Sequence, residues 1–287
     1  MNELTMEIFA EDFSDFLYRA LLGIALAALN CSVLGAYVVT RKMAFVSTAL
    51  THTILPGIVA AFLLGFSLYW GALGAAVLTA AGIGALAGRR ELREDTAVGV
   101  MFSLMFALGV WMMAQTGSYR DFQALLFGNA IGVTDADLLM IGGVTAVIFA
   151  LLVLFHNRLE LTSYDEEYAR QCGLSPERMR LLLLVLVALS TVSCVRLVGA
   201  LLTTALLVTP AATAALLART LRGMMALSAV FGVAGGVGGL LVSYFLGLWQ
   251  IRVPSGAAVV VVCSVFFFAV FAGKFLWQRR RISPTTP

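Results

Sequence analysis

Residues 41–65 read RKMAFVSTALTHTILPGIVAAFLLG, and after the two leading bases no Asp, Glu, Lys or Arg occurs up to Gly65. An uncharged run of about 20 residues is what a helix needs to cross the hydrocarbon core of a bilayer. The same pattern, an apolar run closed by charges or turn residues, recurs and predicts helices at 16–39, 43–64, 68–88, 96–115, 136–155, 180–195, 197–218, 224–247 and 254–277. Of the 287 residues 61% are hydrophobic and 12% charged, and the mean hydropathy is +0.96. Soluble domains are roughly half apolar and a quarter charged. The composition therefore excludes a cytosolic enzyme, a nucleic-acid binder and a disordered chain. It predicts an all-α polytopic membrane protein surrounded by lipid, with about nine transmembrane helices and its function carried by those helices and their loops.

Charge placement orients the bundle. Threading nine spans alternately puts Arg41 and Lys42, then Arg89, Arg90 and Arg93, then Arg158, Arg170, Arg178 and Arg180, then Arg219 and Arg222, and finally Lys274 with Arg279, Arg280 and Arg281 on one side. The other side receives Glu3, Glu7, Glu11, Asp12 and Asp15 and, beyond the first span, only Arg120, Arg196 and Arg252. Bases concentrate on the cytoplasmic side, so residues 1–15 are expected outside, 16–277 form the membrane body and 278–287 a basic cytoplasmic tail. The acidic start lacks the positive region that opens a signal peptide. The four cysteines have no metal-ligand spacing and imply no disulfide framework.

Three stretches stand out as candidate sites. The long polar connection at 156–180 contains YDEEYARQCG at 164–173, followed by Ser175 and Pro176, which suit a helix start. In the second span His52 lies about ten residues into the membrane, with Ser47, Thr48, Thr51 and Thr53 nearby. Thr48 and His52 share a helix face at i and i+4. An ionisable side chain at that depth is costly and marks a path or a site, imidazole is a common ligand for divalent transition metals, and Pro56 and Gly57 kink the helix just beyond it. The third stretch, RLVGALLTTALLVTPAATAALLAR at 196–219, carries Pro210 at membrane depth among Thr203, Thr204, Thr209 and Thr213. Arg196 interrupts an apolar run at 181–217 that is too long for one span and short for two, so a broken or re-entrant helix is expected there. Gly232, Gly235, Gly236, Gly238 and Gly239 predict a helix that packs closely on a neighbour.

Taken in order, these stretches resemble the permease subunit of ABC importers for divalent metals, the bacterial manganese, zinc and iron family. LTHTILPGIVAAFLLG at 50–65 looks like the family's Ser-His-Ala-x-Leu-Pro-Gly stretch, and REDTAVGVMFSLMFALGV at 93–110 is similar to its Glu-Asp-x-Ala-x-Gly-x-x-Phe entry to a span. LLFGN at 125–129 matches an external loop, YDEEYARQCGLSPERMR at 164–180 looks like the segment that couples to the ATPase, and 197–219 resembles the Pro-Ala-Ala-Thr-Ala helix. The resemblance implies a plasma-membrane importer working by ATP-driven alternating access, as a dimer of this chain with itself or a paralogue. An extracytoplasmic metal-binding protein would deliver the cargo, and cytoplasmic ATPase subunits would clamp the coupling segments. It implies no resident cofactor: the divalent metal is cargo and ATP binds the partner subunit.

By the same resemblance His52 and the residue four before it line the metal path. Asp165, Glu166, Glu167, Ala169 and Gly173 belong to the coupling segment near 163–173, and Pro56, Gly57 and Pro210 shape the path helices. The family places Asp four residues before the His, whereas this chain has Thr48. A neutral hydroxyl is a poorer partner for a hard dication, which points to a weaker path, a two-permease pair or another cargo such as a chelate. No GxxxxGK[ST] stretch occurs, so the ATPase must be a separate polypeptide. Two other classes fit less well. A secondary transporter calls for buried carboxylates, and no Asp or Glu lies mid-span. An intramembrane hydrolase requires a nucleophile beside a base, for which only His52 with Ser47 or Thr51 offers a set.

Overall fold

The computed structural model describes residues 3–87, 94–116, 134–249, 251 and 253–282. The motif at 125–129 and Arg89, Arg90, Arg93, Arg120 and Arg252 lie outside the described residues, as do the side chains of Arg196, Arg279, Arg280 and Arg281. The regular structure described is helical: α1 (Glu3–Thr40), α2 (Ala44–Thr53), α3 (Leu55–Leu64), α4 (Leu68–Ala87), α5 (Glu94–Ala114), α6 (Asp135–Tyr164), α7 (Glu166–Gln171), α8 (Pro176–Val198), α9 (Ala200–Leu217), α10 (Leu221–Leu248) and α11 (Ser255–Ile282). Among the described residues nine stretches are long and apolar enough to cross a membrane, α2 and α3 together forming the second.

The boundaries differ from expectation for identifiable reasons. The acidic start is not a separate segment in its backbone, because α1 runs unbroken from Glu3 into the span at Leu17–Thr40. The fifth span does not stop at 155. Its helix continues to Tyr164 and opens on a capping box, Thr134 with Asp137, that satisfies its first amides. The sixth and seventh spans are each continuous, and they separate at Gly199 rather than at Arg196. Gly199 has φ +84°, a left-handed value that costs glycine nothing and other residues strain. α11 carries helix through Ile282, five residues past the expected end at 277.

Side-chain bonds gather the base-rich helix ends on one face. Arg41, just past α1, donates to Ser163 and Thr162 at the end of α6. Arg222 at the start of α10 donates Nε to His156 Nε2 at 3.0 Å, while the other ring nitrogen meets Tyr37 of α1 at 2.7 Å. Lys274 caps the end of α9 through the Leu216 carbonyl at 2.6 Å, a favourable place for a cation at a helix C-terminus. Arg19 pairs at 3.2 Å with Asp135 at the start of α6, on the opposite face. Arg41, Arg222 and Lys274 thus gather on one face, as alternate threading of the spans expects.

Between lipid-embedded helices there is no hydrophobic driving force, so close van der Waals contact between small residues takes its place. α1 packs against α6, α8, α9 and α10, with Asn30, Cys31, Ser32 and Tyr37 fully buried. α10 uses its glycines on two faces: Gly232 and Gly236 lie against Ser32 and Ala28 of α1, and Gly235 and Gly239 against Cys263 and Val259 of α11. Tighter still is the crossing of α3 and α4. A Cβ on Gly57 would strike the Gly71 carbonyl oxygen, and one on Gly71 would strike that of Gly57. Gly71→Leu should therefore force the two backbones apart, an overpacking cost on the order of 1–3 kcal/mol, and lower the unfolding temperature in detergent. Gly74→Leu on the same helix meets nothing within 4 Å and should leave that temperature unchanged.

Candidate functional site

The second span breaks one residue past Thr53 because of Pro56. Proline has no N–H to return to the carbonyl four residues earlier, which belongs to His52, and that carbonyl accepts instead from Ile54 N–H. α3 restarts with Pro56 in its first turn, where the missing donor does no harm. His52 therefore occupies the last turn of a short helix. Ser47, Thr51 and Thr53 are buried, Thr51 and Thr53 donating to the carbonyls of Thr48 and Leu50. Only Thr48 shares the half-buried face with His52.

That face forms one wall of an open groove of about 470 Å³, whose other wall is α9. Ala44, Phe45, Thr48 and His52 line it from α2, and Ala200, Leu201, Thr204, Ala205, Val208 and Thr209 from α9. The structure thus brings two of the three candidate stretches together. Pro210 itself is buried one residue past the lining, and Thr213 donates to the Thr209 carbonyl at 2.8 Å. The hydroxyls the groove presents are those of Thr48, Thr204 and Thr209. No Asp or Glu lines it, and among the described residues no three His, Cys, Asp or Glu cluster as a closed metal site. His52 with threonine oxygens offers sparse ligation, suited to passage rather than storage. Ser47 and Thr51 do not line the groove with His52, so this arrangement presents no nucleophile and base pair.

Two residues that the sequence reading missed hold the imidazole. Phe102 and Phe106 of α5 stack at 5.7 Å, and each meets the His52 ring edge to face, at 6.1 and 6.0 Å between centroids. Such contacts fix ring orientation and contribute roughly 0.5–1.5 kcal/mol per aromatic pair. The signal was present as Phe at i and i+4 in REDTAVGVMFSLMFALGV, though it reads equally as lipid-facing bulk.

The remaining stretch, at 164–180, stands apart from the groove. α7 is a single short helix capped by Asp165, whose carboxylate accepts from Tyr168 N–H at 2.9 Å, and it ends before Gly173, at φ +78°. Tyr164, Asp165, Glu167, Tyr168 and Gly173 are exposed, whereas Ala169 is fully buried against its own chain and Glu166 is half-buried. The small Ala169 thus serves the seat of α7 on the membrane body, and Glu167 and the two tyrosines form the outward face. Arg170 pairs with Glu177 of α8 at 2.6 Å, and Arg180 of α8 with Glu166 at 3.2 Å.

Comparison with known proteins places the chain in a family. The family model described as the ABC 3 transport family matches residues 13–274. The manganese transport system membrane protein MntC of Halalkalibacterium halodurans is 35% identical over 257 residues, covering 89% of this chain and 86% of that one. A probable iron transport system membrane protein of Haemophilus influenzae is 32% identical over 258 residues, with 90% and 93% covered. Among solved structures, PsaBC from Streptococcus pneumoniae in complex with Fab superimposes with a TM-score of 0.78 at 34% identity, over 89% of this chain and 91% of that one. A multi-pass chain with nine candidate spans, matched over nearly its whole length, belongs to the ABC 3 transport family, as the membrane permease of an ABC transport system whose ATPase is a separate subunit.

Proposed function

We propose that the cargo is a divalent manganese or iron ion carried inward through the α2–α9 groove, with His52 and Thr48 as contacts along its path. The observation that carries this reading is the groove itself. The one histidine at membrane depth points into it beside hydroxyls, across from a proline-bearing helix. Relatives named for manganese and iron transport, matched over nearly their full length, support the choice of metal. Zinc shares the imidazole preference and is the third cargo to test. The groove is open along one side and supplies only half of a ligand shell. A second copy of this chain or a paralogue facing it would complete the path and bring a second imidazole to the ion. A metal-binding protein docks on the outer face, and α7 meets the ATPase on the cytoplasmic face through Asp165, Glu167 and the turn at Gly173.

In the intact importer His52→Ala should raise the KM for manganese uptake on the order of tenfold, the lower end of what losing a supporting contact costs in metal affinity. Thr48→Asp should lower it by restoring a hard anionic oxygen beside the imidazole. Uptake unchanged by both substitutions would remove the metal from this groove.

Orientation has its own test. Cys172 is the exposed cysteine at the end of α7, and Cys31, Cys194 and Cys263 are buried. A membrane-impermeant maleimide should therefore label permeabilised cells but not intact ones, and Cys172→Ser should abolish the labelling. Labelling of intact cells would invert the bundle.

A further inference from the structure

Taking α7 as the ATPase-facing helix, we infer that Arg180 is the positioning residue that joins it to the path, by clamping α7 to the cytoplasmic end of α4. Arg180 lies in the second turn of α8, and its side chain is only 9% exposed. One terminal nitrogen donates to the Glu166 carboxylate of α7 at 3.2 Å, and the other donates to the Ala87 carbonyl, the last residue of α4, also at 3.2 Å. The final carbonyls of a helix have no partner within it, and the helix dipole favours a cation there. The planar guanidinium can serve both acceptors at once, where an ammonium offers a single nitrogen. Leu181 packs beside Gly84 of α4, so the clamp sits on a close contact between α4 and α8.

From α4 the connection reaches the groove through backbone. Gly71 meets Gly57 with no side chain between them, and Gly57 follows the break that ends the His52 turn. α4 and α3 therefore shift together at that crossing, because neither side chain nor lipid can take up the displacement. α7 has a second tie, Arg170 to Glu177, but it is half-exposed and reaches α8 only. Exposed pairs of that kind contribute little. The buried clamp is the tie that reaches α4, whose crossing with α3 lies just past the His52 turn.

The test uses the complete importer, permease with its ATPase and metal-binding partner, in liposomes, and reads manganese transported per ATP hydrolysed. Arg180→Gln should lower that ratio by about fivefold or more, the lower range of coupling between linked sites, while ATP hydrolysis continues. Arg180→Lys should fall between. A merely structural role would lower transport and hydrolysis together in proportion to assembled complex and leave the ratio at the wild-type value. That result, or an unchanged ratio in a fully assembled Arg180→Gln complex, overturns the clamp. A cysteine at position 167, introduced by Glu167→Cys in the Cys172→Ser background, separates this from the reading on which it rests. A crosslink to the ATPase with an unchanged ratio rejects the clamp alone, whereas absence of the crosslink in an otherwise wild-type complex rejects α7 as the docking helix and the clamp with it.

Discussion

A bilayer core offers no hydrogen bonds to a polypeptide backbone, so each amide and carbonyl at that depth must be satisfied by the chain itself. That constraint accounts for a chain built from helices, and it also decides where helices can be broken. Two breaks stand out, one within the second span at Ile54, between α2 and α3, and one where the sixth and seventh spans part, at Gly199 between α8 and α9. Both adjoin the same groove. His52 is two residues before one break, and Ala200 immediately follows the other. Irregular backbone is tolerated where protein or a water-filled cavity surrounds it, and here each break is also covered by its own local bonds, Ile54 N–H to the His52 carbonyl and Gly199 N–H to Val195.

Much of this was legible in the sequence because it is written locally. Span count follows from hydropathy alone, sidedness from the placement of Arg and Lys, and the α2–α3 break from Pro56. The groove is not local. Its walls are separated by about 150 positions of chain, and nothing in the composition of either helix says that Thr48 faces Thr204 rather than lipid. The division at Gly199 was misplaced onto Arg196 because a charge in an apolar run is conspicuous and a glycine is not. Yet it is backbone conformation, not charge, that ends a helix. Ala169 illustrates the same limit from the other side. Its small size marked a close approach, but whether the neighbour is a partner or the chain's own body depends on which way a two-turn helix is seated. Arg180 fixes that seating from outside the segment.

The polar groups of the bundle divide by purpose. Those on the base-rich face form bonds between helices that differ in sequence position by more than 50 residues: Tyr37 with His156, Arg222 with His156 and Asn157, Arg41 with Thr162. Running from buried Tyr37 to exposed Arg222 and Asn157, these bonds tie together the ends of α1, α6 and α10. The two histidines thus have opposite surroundings. His156 is bonded to Tyr37 and Arg222, while His52 meets two phenylalanine rings and, among the described residues, no hydrogen-bond partner.

That difference bears on how a path can be both selective and permissive. A closed site with three or four protein ligands binds a dication too tightly for rapid release, whereas an apolar channel presents an electrostatic barrier that no hydrated dication crosses. A single imidazole oriented by Phe102 and Phe106, with threonine oxygens one turn away and no carboxylate in the wall, lies between these extremes. The neutral Thr48 shifts the balance toward release, because compensation of the ion's charge then depends on water and on whatever faces the open side of the groove. The half-site on one chain is therefore an incomplete ligand set by construction. On the proposed path its occupancy would follow how close a facing copy stands, the quantity that alternating access varies.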